Sequence, residues 1–151
     1  MKVLNSLTEI ESLVGQEVAV TDWVLVDQAT IDAFAHATGD HQWIHTDPAR
    51  AANGPFGSTI AHGFLTLSLL PRFFSMALEF RGSGMGVNYG LNKVRFPSPV
   101  PVDSRVRARM TLAELEWLPQ GVCQMTWRVT MEREGSERPV CVAESLVRRY
   151  P

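Results

Sequence analysis

Cysteine is scarce in this 151-residue sequence: there are two, Cys123 and Cys141, and neither has a second Cys or a His at ligand spacing. They read as small packed hydrophobes rather than as a metal or redox site. Charge of one sign is also lacking. A formal net charge of -2, with no charge run, supplies no general attraction for nucleic acid or an acidic membrane surface. Long apolar runs are missing too, since the most apolar segment, Gly63 to Leu70, meets Pro71 and Arg72. A bilayer span needs about 20 apolar residues, so no membrane segment is expected. The opening MKVLNSLTEIESLVG places acidic residues where a secretion signal requires an apolar stretch, which points to the cytoplasm. Of the four histidines, His41 and His45 stand at His-x-x-x-His spacing, but no Cys-x-x-Cys accompanies them, and no metal or cofactor is expected. There is no low-complexity tract or internal repeat.

What remains is an ordinary globular composition, 45% hydrophobic and 20% charged, in a length that suits one domain over residues 1–151. Lysine is nearly absent, because 12 of the 14 basic residues are arginine, mostly in the second half. Arginine's planar fork suits phosphate and carboxylate, which leaves room for a phosphorylated small ligand.

Ser6-Leu7-Thr8-Glu9 has the form of a capping box and predicts a short helix stopping at Gly15. Glu17 to Val26 carries Val18, Val20, Val24 and Val26 on one face, interrupted at Asp22, and reads as a strand. Asp27 caps a second helix with Ile31, Phe34 and Ala35 on its apolar face, ending at Gly39. From Asp40 to Gly63, the residues Pro48, Asn53, Gly54, Pro55 and Gly57 mark a long irregular excursion with one helical turn begun by Asp47-Pro48. Phe64 to Phe80 is apolar on nearly every side, as for a buried helix, and Pro71 should kink or divide it. Three period-two runs follow: Val106, Ala108, Met110, Leu112; Cys123, Met125, Trp127, Val129, Met131; and Val140, Val142, Leu146. Turns at Gln120-Gly121 and Glu134-Gly135-Ser136 join them as antiparallel strands. With the Gly86 to Phe96 segment and the first strand, about five strands surround one buried helix, an α+β arrangement.

Two stretches carry chemistry. Gly39-Asp40-His41-Gln42-Trp43-Ile44-His45 sets a carboxylate and an imidazole five residues apart, in a loop leaving a helix end. Held on one face, Asp40 and His45 can grip a water molecule, one accepting its proton while the other orients it. The competing reading is a turn aspartate and a structurally satisfied histidine. The second stretch, Gly57-Ser58-Thr59-Ile60-Ala61-His62-Gly63, runs into the buried helix. Its Gly63 N–H is unpaired at a helix start and can donate to an oxygen gaining charge, although a small residue at a tight helix–sheet contact explains Gly63 equally well.

ATGDHQWIHTDPARA followed by GPFGSTIAHGFLTLSLLP, with NYGLNKVRFPSPVPVDSRVR after it, resembles the MaoC-like, (R)-specific enoyl-CoA hydratases, particularly their short nodulation-protein-N-like branch. The resemblance implies a hot-dog fold, an antiparallel sheet wrapped around a long central helix, and a homodimer whose sheets join edge to edge. It implies reversible addition of water to a 2-enoyl-CoA to give the (R)-3-hydroxyacyl product, with Asp40 and His45 as the catalytic pair and the Gly63 N–H on the thioester oxygen. Many relatives carry Asn-Pro where this chain has Gln42-Trp43. Gln42 still offers a side-chain amide for substrate binding.

Ser58 and Asn88 are further candidates to line the site, with turn hydrogen bonding as the competing explanation. His41 reads as exposed loop, and His62 as a residue holding the loop at the start of the helix. Arg95, Arg105, Arg107 and Arg109 include candidates for the CoA phosphates, against the plainer reading of a solvated strand face. Two other functions fit the same fold. A hot-dog thioesterase would hydrolyse the thioester, but no better-placed carboxylate stands at the start of the central helix, and a non-catalytic acyl-CoA-binding module would have no use for the Asp40–His45 pair.

Overall fold

The computed structural model describes residues 1–81 and 84–151. In chain order the elements are β1 (Lys2–Leu4), α1 (Leu7–Glu11), β2 (Glu17–Val20), β3 (Val24–Val26), α2 (Gln28–Thr38), α3 (Trp43–Thr46) and α4 (Pro48–Ala52). There follow α5 (Gly63–Ser68), α6 (Leu70–Ala77), β4 (Leu78–Phe80), β5 (Met85–Arg95), β6 (Ser104–Trp117), β7 (Cys123–Arg133) and β8 (Cys141–Tyr150).

The main sheet is antiparallel, in the order β2-β6-β7-β8-β5, with β3 also paired to β6. The stretch read as one strand from Glu17 to Val26 is therefore two, β2 and β3, lying along the same neighbour. The break is fixed at Thr21, whose N–H donates to the Ala108 carbonyl at 2.9 Å and whose hydroxyl accepts the Ala108 N–H at 3.0 Å. On β6, Val106, Ala108, Met110 and Leu112 all face inward and are fully buried, and Met125, Trp127, Val129 and Met131 do the same on β7.

On β8 the inward face is offset by one residue from the sequence reading. Cys141, Ala143 and Ser145 are buried, whereas Val142 and Leu146 are only partly covered. The bulky residues suggested the core face, yet α5 packs against β8 and needs small side chains beneath it.

The long central helix is divided, one of the two outcomes expected from Pro71. The segment is split at Leu69 into α5 and α6, with Pro71 in the first turn of α6, where its missing N–H costs nothing. It stops at Ala77 rather than Phe80. Leu78 turns extended (φ -131, ψ 130), and β4 pairs in parallel with β1 through Lys2↔Leu78 and Leu4↔Phe80. Three-residue strands carry no periodicity, so neither was legible in the sequence. The two helices still lie on the concave face: Phe73 is fully buried and Phe74 meets the Trp127 ring edge-on at 5.4 Å.

At the N-terminus, Ser6 accepts the Glu9 N–H at 3.2 Å as the capping box requires, but the Glu9 carboxylate takes the Asn5 N–H at 2.8 Å instead of that of Ser6.

Candidate active site

Asp27 starts α2 by accepting both the N–H and the hydroxyl of Thr30, at 2.9 and 2.7 Å. Gly39 ends it in the left-handed conformation (φ 78), which an L side chain adopts only with strain. The chain thus leaves the helix sharply at Asp40. The Asp40 carboxylate accepts the Gln42 N–H at 3.3 Å, and the Gln42 carbonyl accepts the His45 N–H at 2.9 Å. These two bonds wind α3, a helix the sequence reading took as irregular loop, and that turn carries His45 inward to 6% exposure.

His45 is held by groups from two other parts of the chain. Its Nδ1 lies 2.6 Å from the Ile60 carbonyl, and a carbonyl can only accept, so Nδ1 carries the proton. The neutral ring then keeps its lone pair on Nε2. Burial lowers the His45 pKa from the ordinary 6.5, opposed by the Ile60 hydrogen bond, with His62 lowering it further and Asp40 raising it. The outcome is a neutral imidazole with a defined acceptor nitrogen, the state required of a general base at neutral pH. Gln28 fastens the surroundings: its amide donates to the His45 carbonyl at 2.8 Å, and its oxygen accepts the Thr59 hydroxyl at 2.5 Å. Gln28 and the Ile60 carbonyl went unnoticed in the sequence, because a glutamine at a helix start and a backbone oxygen carry no signature.

His62 completes the cluster. Its Nε2 donates to the Asp40 carbonyl at 2.9 Å, and its ring stacks on that of His45 with centroids 3.8 Å and planes 25° apart. Asp40, His45 and His62 each present a potential ligand atom within 4.8 Å of the others. They are nonetheless poorly arranged for a metal. Each ring gives one N–H to a carbonyl and keeps one nitrogen free, but rings stacked 3.8 Å apart at 25° hold those lone pairs in near-parallel, offset planes rather than aiming them at one ion.

Gly63 begins α5 directly after His62, so its N–H has no acceptor within the helix. The Phe96 ring explains the absence of a side chain there: an added Cβ would stand 2.9 Å from Phe96 Cδ2. The tight-packing reading of Gly63 therefore holds, and it leaves the N–H available. Gly63, Phe96, Phe56, Ile60, Ala61 and Thr66 line a groove of about 370 Å³. The Ser58 hydroxyl donates to the neighbouring Thr59 carbonyl at 3.0 Å. Asn88 lies on β5 and lines separate cavities beside α6 with Pro71, away from that groove.

The arginines of β6 are occupied on the outer face. Arg105 pairs with Glu134, Arg107 with Glu132, and Arg109 makes a two-pronged contact with Glu17. Both thiols are buried, which pushes each up to about 11 and leaves it protonated at neutral pH.

The MaoC like domain family matches residues 9–133, a stretch that runs from α1 to the end of β7 and includes the whole cluster. The chain belongs to this family. Among relatives of the MaoC-like chain, the 3-hydroxyacyl-thioester dehydratase Z of Mycobacterium tuberculosis is 53% identical over 148 residues, 98% of each chain. Nodulation protein N of Rhizobium leguminosarum bv. viciae is 51% identical over 140 residues, 91% of this chain and 87% of that one. Among solved structures, the unliganded R-hydratase PhaJ1 from Pseudomonas aeruginosa superimposes with a TM-score of 0.70 at 26% identity, covering 91% of this chain and 81% of that one. No helix among the described residues of the MaoC-like chain is long and apolar enough to cross a membrane.

Proposed function

We propose that this MaoC-like chain is an (R)-specific enoyl-CoA hydratase, adding water reversibly to a trans-2-enoyl-CoA, with Asp40 and His45 as its acid–base pair. The observation that carries the assignment of the pair is the 2.6 Å bond from His45 Nδ1 to the Ile60 carbonyl, which leaves Nε2 as the only proton acceptor on that ring. Nε2 takes a proton from water that the Asp40 carboxylate orients. The water oxygen bonds to the β-carbon, and the π electrons move onto the thioester oxygen, which the Gly63 N–H stabilises. The α-carbon then takes a proton from the same pair, so the hydrogen and hydroxyl add to one face. No cofactor is required, because the conjugated thioester itself accepts the electron pair.

The groove beside Gly63, walled by Phe56 and Phe96, suits an acyl thioester, and the reading keeps Gln42 and Ser58 as further substrate-binding side chains. We take residues 1–151 as one domain, acting in the cytoplasm where CoA esters are made and used. A homodimer is part of the reading. Strand β5 ends the sheet, and Val87, Tyr89 and Leu91 along it are exposed apolar side chains on an unpaired edge that a second copy would cover. Asn88 sits on this edge rather than beside the pair, so any contact it makes with substrate comes through the assembly.

Mixing the protein with crotonyl-CoA tests the reaction. Loss of the conjugated-thioester absorbance without release of free thiol is expected, with a product that an (S)-specific 3-hydroxyacyl-CoA dehydrogenase leaves unoxidised. Thiol release would instead identify a thioesterase.

A further inference from the structure

His62 occupies the N-cap position of α5, yet its side chain makes no capping bond to that helix. The position ordinarily favours Ser, Thr, Asp or Asn for that purpose. The ring is instead turned away from the helix and buried to 3% exposure, between the His45 ring at 3.8 Å and the Phe34 ring at 5.0 Å. Its single hydrogen bond runs from Nε2 to the backbone carbonyl of Asp40, and its Nδ1 is buried without a hydrogen-bond partner among the described residues. A buried nitrogen left unpaired costs stability that Phe or Leu in the same space would not cost. What the imidazole provides in return is a link between the two members of the proposed pair.

We infer that His62 is a positioning residue that fixes Asp40 through its backbone carbonyl and holds the plane of the His45 ring by stacking on it. The inference rests on the hydratase reading for its kinetic consequence, though not for its structural one. Asp40 follows a helix-ending glycine in an exposed loop, and among the described residues its carboxylate has only the weak 3.3 Å contact with the Gln42 N–H to orient it. The His62 bond ties that loop to the start of α5, where the Gly63 N–H lies one residue away. His45, Asp40 and Gly63 would in this way be registered against one another by a single side chain.

Two variants separate the two contacts. His62→Phe keeps a ring against His45 and removes the donor to Asp40, whereas His62→Gln keeps a donor and removes the stack. Each is expected to lower kcat on crotonyl-CoA by about 10-fold or more with KM changed by less than about threefold, the pattern of lost geometry rather than lost binding. In an Asp40→Asn background, His62→Phe should cost less than about threefold, because the group it positions is already disabled. Imidazole ¹⁵N spectra supply a readout independent of turnover: His45 should show one Nδ1–H tautomer in the parent protein and a mixture or exchange broadening in His62→Gln. Wild-type rates in both variants, or a full-sized His62→Phe loss repeated on top of Asp40→Asn, would overturn the inference. Should the parent protein fail to hydrate any enoyl-CoA, the hydratase reading falls, and the spectra alone decide: an unchanged His45 tautomer in His62→Gln then refutes the positioning role.

Discussion

The Phe96 ring lies flat against the backbone of Gly63, so close that a methyl group at Gly63 would meet Cδ2, Cε2 and Cγ at 2.9 to 3.1 Å. This contact sets the position of the first amide of α5 relative to the groove. Gly63→Ala is expected to destabilise the protein by about 1–3 kcal/mol, the usual cost of overpacking, and to reduce hydration further by displacing the N–H. Pairing it with Phe96→Leu should restore most of the thermal stability, as melting curves of the single and double variants would show. Equal loss in the double variant would place the strain elsewhere.

In the proposed mechanism His45 sets the acid side of the pH profile. Its folded pKa lies below the ordinary 6.5 because burial disfavours the charged ring, so kcat/KM should hold down to pH values below 6.5 before it falls. Stability follows the same sign. The unfolded chain binds the proton first, so this contribution is intact above 6.5 and is lost as the pH drops from there through the folded value. Denaturant midpoints between pH 7 and pH 5 should therefore fall less in His45→Gln than in the parent.

Arg105, Arg107 and Arg109 already have carboxylate partners on the outer sheet face. Replacing any one by Ala should leave KM for crotonyl-CoA within about twofold and cost no more than about 1 kcal/mol, since half-exposed pairs contribute little. A KM raised tenfold by one of them would mean that the CoA phosphates reach that face.

The offset of β8 gives a packing test. Ala143 lies on the core side of β8 and is 7% exposed, whereas Val142 is only partly covered. Ala143→Leu is expected to cost about 1–3 kcal/mol and Val142→Leu under about 0.5 kcal/mol, measured by urea unfolding. The reverse order would restore the register that Val140, Val142 and Leu146 first suggested.

Legibility in the sequence tracked the range of the interactions involved. The inward faces of β6 and β7 could be read because Met110, Leu112, Met125 and Trp127 repeat with period two over many residues. Asp27 and Gly39 marked both ends of α2, and Pro71 marked the division of the helical segment, since each acts on its own backbone. The β8 face was misread because bulk was taken for burial, where the neighbouring helix requires Cys141, Ala143 and Ser145 to be small. Short β1 and β4 exist only through each other, 76 residues apart between Lys2 and Leu78. At the site, the closeness of Asp40 and His45 was legible from their spacing and the resemblance. Gln28, the Ile60 carbonyl and the stacked position of His62 were not, because they come together only once α2, α3 and the strap before α5 have docked.

The proposed hydration depends on one pair of side chains, and steady-state hydration of crotonyl-CoA by Asp40→Asn and His45→Gln tests that pair most directly. Both variants should fold as the parent does and lose about 100-fold or more in kcat/KM, the usual scale for removing a general acid or base. A folded His45→Gln protein that hydrates crotonyl-CoA at the parent rate would contradict it.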